Sequence, residues 1–256
     1  MNKRPLILLT NDDGIDAPGL FALFKELKKI GEVCIVAPSV ERSAVGHAIT
    51  LTDPLRVSEF RRDGYFFGYS VNGTPADCVK IAHWALLRKR PDVIVSGINL
   101  GSNTGINIIY SGTVSAATEG AILGIPSFAV SLTTYKNPDF RYAAKFARKL
   151  TNILIQKGLP CGVYLNVNVP ACPEEEIRGV SITRQGLARF EEKFDKRSDP
   201  RGRTYYWLTG QKVDPEEDVG VDEGAIQARM VSITPVHYDM TKYEFIDILK
   251  SWQLEV

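Results

Sequence analysis

Short, uninterrupted apolar runs recur along this chain, and between them lie longer stretches whose apolar residues return every three or four positions. Runs of the first kind suit strands covered on both faces; stretches of the second kind suit helices with one buried stripe. Leu6–Thr10 is the first such run. Residues 18–30 follow, with Leu20, Phe21, Leu23, Phe24, Leu27 and Ile30 at helical spacing and Gly31 as the stop. Residues 32–37 (EVCIVA) form a second buried strand, closed by Pro38. From there to about Gly73 the pattern alternates, as in AITLTDPLRV and YFFGYSVNG, which predicts a small antiparallel excursion. Thr74-Pro75-Ala76-Asp77 opens a helix through Leu87, with proline in its first turn. Strands are expected at 92–96, 126–132 and 163–169, and helices at 115–123 and 139–157.

Strand alternating with helix, the strands apolar throughout, predicts an α/β fold with a mostly parallel sheet and helices on both faces. The last third changes character. Strands are expected at 177–184 and 204–210 around a polar loop at 193–203 (KFDKRSDPRGR), whose DPRGR turn is solvated or lends positive charge to substrate binding. An acidic stretch (DPEEDVGVDEG), a strand at 230–234 and a closing helix at 242–252 follow. The aromatic TYYWLTG segment fits either an arm packed on another subunit or a second small sheet.

Composition narrows the function classes. At 256 residues with a net charge of +1, the chain has neither the basic field of a nucleic-acid duplex binder nor the acidic excess of a disordered one. No apolar run approaches the ~20 residues of a membrane helix. The apolar stretch after Lys3 and Arg4 is too short for a signal peptide. Cys34, Cys78, Cys161 and Cys172 are scattered, so free thiols in a cytoplasmic protein are expected, with Cys34 and Cys78 as buried small hydrophobes. His47, His83 and His237 stand isolated, and His83 belongs to packing.

Ligands of an open parallel sheet bind beyond the carboxyl ends of its strands. After the first strand come Asp12 and Asp13, after the second Ser39 and Glu41-Arg42-Ser43, and after 92–96 Gly97, Ile98 and Asn99. Two carboxylates, a hydroxyl and an amide oxygen make a hard, all-oxygen set suited to Mg²⁺ or Mn²⁺. Strand ends alone do not choose between Ser39 and Ser43, and each residue taken singly also fits a turn or helix cap. Ser111-Gly112-Thr113 precedes a helix of small residues, whose free amides favour a phosphate, with Arg42 as a possible further charge. The glycines of SGINLGSNTG space as GxxxGxxxG, so no dinucleotide fingerprint is present; GxxxxGK[ST] and GxSxG are absent too.

TNDDG, APSVERSAVGHAIT, NGTPADCV, SGINLGSNTG and YSGTVSAATEG, in this order, resemble the SurE family of survival proteins, and LNVNVP, SDPRGRTYYWLTG and VSITPVHYDMT extend the likeness over almost the whole chain. The resemblance implies one Rossmann-like α/β domain over 1–256. Residues from about 185 onward would supply a β-hairpin and a C-terminal helical arm that swaps between subunits of a homodimer, in some members a tetramer. It implies a 5′-nucleotidase, a metal-dependent phosphomonoesterase acting on nucleoside 5′-monophosphates. One divalent cation, Mg²⁺ or Mn²⁺, would sit on Asp12, Asp13, Ser43 and Asn99, with Asp12 and Asp13 catalytic and the phosphate on Ser111, Gly112 and Thr113. Asn107 stands where many members carry Asp. Asp12 could serve as base or as nucleophile, and a nucleotide-binding module without catalysis is the competing class.

Overall fold

A strand that is apolar at every position sends alternate side chains to opposite faces and needs cover on both. β1 (Leu6–Thr10) is buried throughout, with Ile7 and Leu9 in one core cluster and Leu8 in another. The computed structural model, which describes residues 4–213, 218–252 and 254, shows how that cover is supplied. On one face lie α1 (Pro18–Leu27) and a long helix at Arg141–Lys157; on the other lie Pro75–Ile81 and Gly112–Ile122.

In chain order the remaining elements are β2 (Glu32–Pro38), β3 (Val57–Arg62), β4 (Tyr65–Val71), α2 (Pro75–Ile81), β5 (Val93–Leu100), α3 (Gly112–Ile122), β6 (Ser127–Leu132), α4 (Arg141–Lys157) and β7 (Val163–Val169). Then come β8 (Val180–Ile182), β9 (Arg189–Ser198), β10 (Thr204–Val213), α5 (Asp222–Gln227), β11 (Val231–His237) and α6 (Tyr243–Lys250). Nine strands form one sheet in the order β3-β4-β2-β1-β5-β6-β7-β11-β8, while β9 and β10 pair only with each other. The six strands from β4 to β7 run parallel. β3 is antiparallel on β4, and β11 is antiparallel on β7. This is the α/β arrangement expected from the sequence. From β1 the chain moves outward to β2, then returns to lay β5 on the other side of β1, so the strand order reverses between β1 and β5.

Four elements differ from the sequence expectation. β9 covers most of the stretch expected to be a polar loop; only 199–203 remain as the turn, closed by Asp199, whose Oδ1 accepts from the Arg201 and Arg203 amides. Its charges conceal a two-residue period, because Arg189, Glu191, Lys193, Asp195 and Arg197 share one face while Phe190 and Phe194 share the other. The expected strand at 177–184 shrinks to β8, a three-residue edge strand. α2 ends at Ile81 and widens into a π-helical turn over Ala82–Leu86, where His83 packs edge-on to Trp84 at 4.7 Å. α3 begins at Gly112, three residues before the expected start, because Ser111 caps it by accepting the Val114 amide. The hairpin realises within this chain the second small sheet that TYYWLTG allowed.

Close approach of elements depends on small residues at two crossings. α1 meets the end of β5 at Gly19, where a Cβ would overlap the Ile98 carbonyl oxygen. α3 meets β6 at Gly120, where a Cβ would lie 2.7 Å from that of Ser127. Gly19→Ala must therefore push α1 off β5, costing about 1–3 kcal/mol in urea denaturation. Gly220→Ala, whose added methyl first meets Asp218 at 3.4 Å, should cost less than about 0.5 kcal/mol. Equal effects at the two sites would show that the crossing is not the constraint.

Candidate functional site

The strand order reverses between β1 and β5, and sheets of this kind bind ligands beyond the carboxyl ends of the strands at such a reversal. Asp12 and Asp13 leave β1 there, and Asn99 lies on the last turnward residues of β5. Gly14, with φ +99°, turns the chain back toward α1, and the Asn11 side chain donates to its carbonyl at 2.9 Å.

Asp12 is 4% exposed, and its carboxylate faces the start of α3. The Thr113 amide donates to Oδ2 at 3.0 Å, and the Thr113 hydroxyl donates to Oδ1. Gly112 permits this approach: a Cβ there would lie 2.9 Å from that of Asp12 and 3.1 Å from the Arg42 carbonyl oxygen. Burial pushes the Asp12 carboxyl up from its ordinary value, against the hydrogen bonds from Thr113, and Glu41 adds repulsion. Asp13 is pushed up to about 7 by burial first and then by repulsion from Asp12 and Glu41, opposed by the Leu100 amide. Among the described residues no Lys or Arg forms an ion pair with either carboxylate. Negative charge is concentrated here without a protein cation beside it.

Asn99 completes one side. Its Nδ2 donates to the carbonyls of Leu100 at 3.2 Å and Gly101 at 2.9 Å, which leaves Oδ1 as its remaining acceptor. Ser43 lies on the irregular segment 39–56, next to Arg42, whose amide donates to the Asp12 carbonyl at 2.7 Å. The Ser43 hydroxyl donates to Glu41 at 2.6 Å and keeps its oxygen lone pairs. Ser39, the alternative left open by strand ends, donates its amide to the Val71 carbonyl at 2.7 Å, on the β4 side. The Arg42 guanidinium donates to the Asn72 carbonyl at 2.8 Å and so braces the β4–α2 loop.

The start of α3 is more occupied than the sequence suggests. Thr113 gives its amide to Asp12, Val114 gives its own to Ser111 Oγ at 3.1 Å, and Ser115 gives its own to the Ser111 carbonyl at 3.1 Å. Among the described residues the Gly112 amide has no protein acceptor. The Ser111 hydroxyl accepts from Val114, so its proton is also free to donate. These are the donors at the start of α3 that the described residues leave unspent.

Several residues that the sequence left unassigned hold these loops. His47 corrects the expectation of three isolated histidines: its Nε2 lies 3.0 Å from Glu119 Oε2, and Lys80 Nζ lies 2.8 Å from Glu119 Oε1. Glu119 is 2% exposed; burial raises its pKa, but His47 and Lys80 outweigh that and hold it below the ordinary value. Asp77 accepts the Thr50 amide at 3.0 Å, the Thr50 hydroxyl at 2.6 Å and the Thr74 amide at 2.9 Å, so one capping-box carboxylate also ties down segment 39–56. The T-x-x-D spacing was the signal for the cap, whereas nothing local marks Thr50. Beneath β5, the Asn103 carbonyl accepts from Asn166 at 2.7 Å and Asn168 at 2.9 Å, and Asn103 Nδ2 donates to Ser131 Oγ at 2.8 Å.

The sequence model of the family described as Survival protein SurE matches residues 7–192. The 5′-nucleotidase SurE of Syntrophobacter fumaroxidans is 52% identical over 248 residues, 97% of this chain and 99% of that protein. Its namesake from Syntrophus aciditrophicus is 56% identical over 245 residues, 95% of this chain and 92% of that protein. The crystal structure of the SurE protein from Aquifex aeolicus superposes with a TM-score of 0.85 at 42% identity, covering 97% of this chain and 99% of that one.

The tether at Asp77 has a pH signature. Burial raises its carboxyl, but the hydrogen bonds from Thr50 and Thr74 prevail and hold it below the ordinary 3.8. A carboxyl depressed in the folded state contributes stability above its unfolded value and loses it as pH falls through the folded one. Asp77→Asn should therefore cost about 1–3 kcal/mol at pH 7. Urea titrations should show the gap to the unaltered protein narrowing once pH falls below 3.8. A gap that stays constant from pH 7 to pH 3 would contradict the assignment.

Proposed function

The chain belongs to the survival protein SurE family, and on that footing we propose that it is a metal-dependent 5′-nucleotidase, hydrolysing nucleoside 5′-monophosphates to nucleoside and phosphate. The observation that carries this reading is the pair of crowded carboxylates, Asp12 and Asp13, at the strand-order reversal, with the Asn99 amide oxygen left as an acceptor at the end of the neighbouring β5. Burial first, and then repulsion from Asp12 and Glu41, lift Asp13 to about 7, and a divalent cation would offset both by favouring the charged carboxylates. Carboxylate, hydroxyl and amide oxygens are the donors that Mg²⁺ and Mn²⁺ prefer. In this proposal Asp12, Asp13, Ser43 and Asn99 hold one such ion in each subunit.

Bound there, the cation supplies Lewis-acid polarisation of a phosphoryl oxygen. The rest falls to the chain. The Gly112 amide and Ser111 hydroxyl donate to the phosphate, and the partial positive charge of the α3 N-terminus offsets its dianion. Thr113 takes part indirectly, since its two donations fix the Asp12 carboxylate against the helix. Both Asp12 oxygens already accept hydrogen bonds, which holds them against α3 and away from in-line attack on phosphorus, while burial raises the carboxyl and so favours taking up a proton. Asp12 thus accepts the proton of an attacking water as the P–O ester bond breaks, and the departing 5′-oxygen takes a proton back from Asp12 or from solvent to leave as the alcohol. Hydrolysis of a nucleoside 5′-phosphorothioate made chiral at phosphorus with two oxygen isotopes, in water carrying the third, is then expected to invert the configuration; retention, with a trapped aspartyl phosphate, would make Asp12 the nucleophile.

The arm is proposed to work between copies of the chain. No residue of α6 is buried, and Tyr243, Phe245, Ile246, Ile248 and Leu249 are all exposed. On the β9–β10 hairpin, Phe194, Tyr206, Trp207 and Leu208 are exposed as well. An isolated two-stranded hairpin and a short helix are marginal in water, so a homodimer, with tetramers as a further step, gives both their missing cover. No described helix is long and apolar enough to cross a membrane.

Phosphate release from 5′-AMP and from a chromogenic phosphomonoester should require Mn²⁺ or Mg²⁺ and stop on chelation. Asp13→Asn should lower activity by about 100-fold or more, since even outer-shell changes at metal sites cost 10–100-fold. It should also abolish the stabilisation by Mn²⁺, about 2.7 kcal/mol at a hundredfold excess over Kd, while the chain stays folded. Metal-independent release, or none with any metal, would overturn the reading.

A further inference from the structure

Between Asn99 and the start of α3 the chain forms only a 3-10 turn, Gly105–Tyr110, so this stretch cannot place its own ends. Its fixing points come from far along the sequence. Asp222, fully buried at the start of α5, accepts the Gly105 amide on Oδ2 at 2.8 Å. Its Oδ1 accepts the amides of Gly186 at 3.0 Å and Glu223 at 2.9 Å. Glu223 accepts the Thr104 hydroxyl at 2.6 Å and pairs with Lys212 near the end of β10. Lys212 also reaches Thr104 Oγ1 at 3.0 Å and Ser102 Oγ at 3.1 Å.

The segment leading into β9 closes the grip. The Ile106 amide donates to the Ala188 carbonyl at 2.9 Å, and Gln185 Nε2 donates to the Gly105 carbonyl at 2.8 Å. Gly105, with φ +57°, lies so close that a Cβ would overlap the Ala188 backbone. Residues 102–106 are thus clasped between the root of the hairpin and the first turn of α5. The clasp touches neither Asp12 nor Asp13, yet it sits between Asn99 and Ser111-Gly112-Thr113.

We propose that Asp222, Glu223 and Lys212 are positioning residues of the active site, which set where Asn99 and the start of α3 stand relative to Asp12 and couple that placement to the hairpin root. The inference rests on the phosphatase reading given above. A carboxylate receiving three amide protons is directional and charge-assisted, and it sets backbone position where packing of small loop residues cannot. Lys212 adds the coupling: displacement of the hairpin root pulls on Ser102 and Thr104, three and five positions beyond Asn99.

The test compares the unaltered protein with Glu223→Gln, Lys212→Met, Lys212→Arg and Asp222→Asn, and with Asp199→Asn at the hairpin tip as control. Amide hydrogen exchange of 99–111, the Mn²⁺ activation constant and kcat are measured on each, with thermal denaturation alongside. Glu223→Gln and Lys212→Met should speed exchange in 99–111, raise the Mn²⁺ activation constant three- to tenfold and lower kcat similarly. Excess Mn²⁺ should recover part of the kcat loss, and Lys212→Arg and Asp199→Asn should stay within twofold of the unaltered protein. Asp222→Asn should show the largest effect; if it fails to fold, the Glu223 and Lys212 variants decide. The proposal is overturned if those two keep Mn²⁺ activation and kcat within twofold, or if their losses follow thermal stability alone with no response to Mn²⁺. Should the unaltered protein release no phosphate with any metal, the phosphatase reading falls by itself. Unchanged exchange in 99–111 would then still refute the clasp.

Discussion

The hydrogen bonds from Thr113 to Asp12 join the end of β1 to the start of α3, and the geometry of the site follows from that joint. A carboxylate with 4% exposure would be expensive if left without donors. Here the donors are one side-chain hydroxyl and one amide from the end of a helix that carries partial positive charge. The joint demands Gly112, since a side chain there would strike Asp12, and it brings the Arg42 backbone against the same residue. Three segments far apart in sequence meet at one carboxylate. That carboxylate is itself one of two adjacent carboxylates, and among the described residues no Lys or Arg forms an ion pair with either.

Around this joint, loops are held by buried carboxylates and amides that play no part in the chemistry proposed. Asp77 secures Thr50, Glu119 secures His47, the Asn103 network secures the turn after β5, and Asp222 secures Gly105. Each partner is a backbone group or a short side chain, so each bond sets a position rather than merely adding stability. Functional loops on a rigid sheet need such ties, because apolar packing alone does not orient a segment rich in glycine and small polar residues. The sheet supplies the rigid frame: its central strands are buried on both faces, with one cluster under α1 and α4 and others under α2 and α3.

Much of this was legible in the residues. Continuous apolar runs located β1, β2, β5, β6 and β7, because a strand covered on both faces has no polar face to break the run. The carboxyl-end rule then brought Asp12, Asp13 and Asn99 to one edge before any coordinates. β9 was hidden because a solvent-facing strand in a two-stranded ribbon can carry charge at most positions, and charge reads as loop. His47 appeared isolated because its partner, Glu119, lies 72 positions away. The start of α3 shifted because Ser111 could be taken for a ligand-binding residue or a cap, and in the structure it caps.

What the sequence by itself determined is the order of elements, their exposure pattern and the chemical kind of each strand-end residue. These depend on local periodicity and on the simple fact that ligand-bearing loops follow strands. Only the tertiary structure decided which donors and acceptors were already spent. Thr113 turned to Asp12, the Asn99 amide nitrogen turned to Leu100 and Gly101, and Asp222 turned to the loop before α3. The reason is physical: a hydrogen bond consumes a specific lone pair or proton, and its partner is set by the packing of distant segments, which no local pattern encodes.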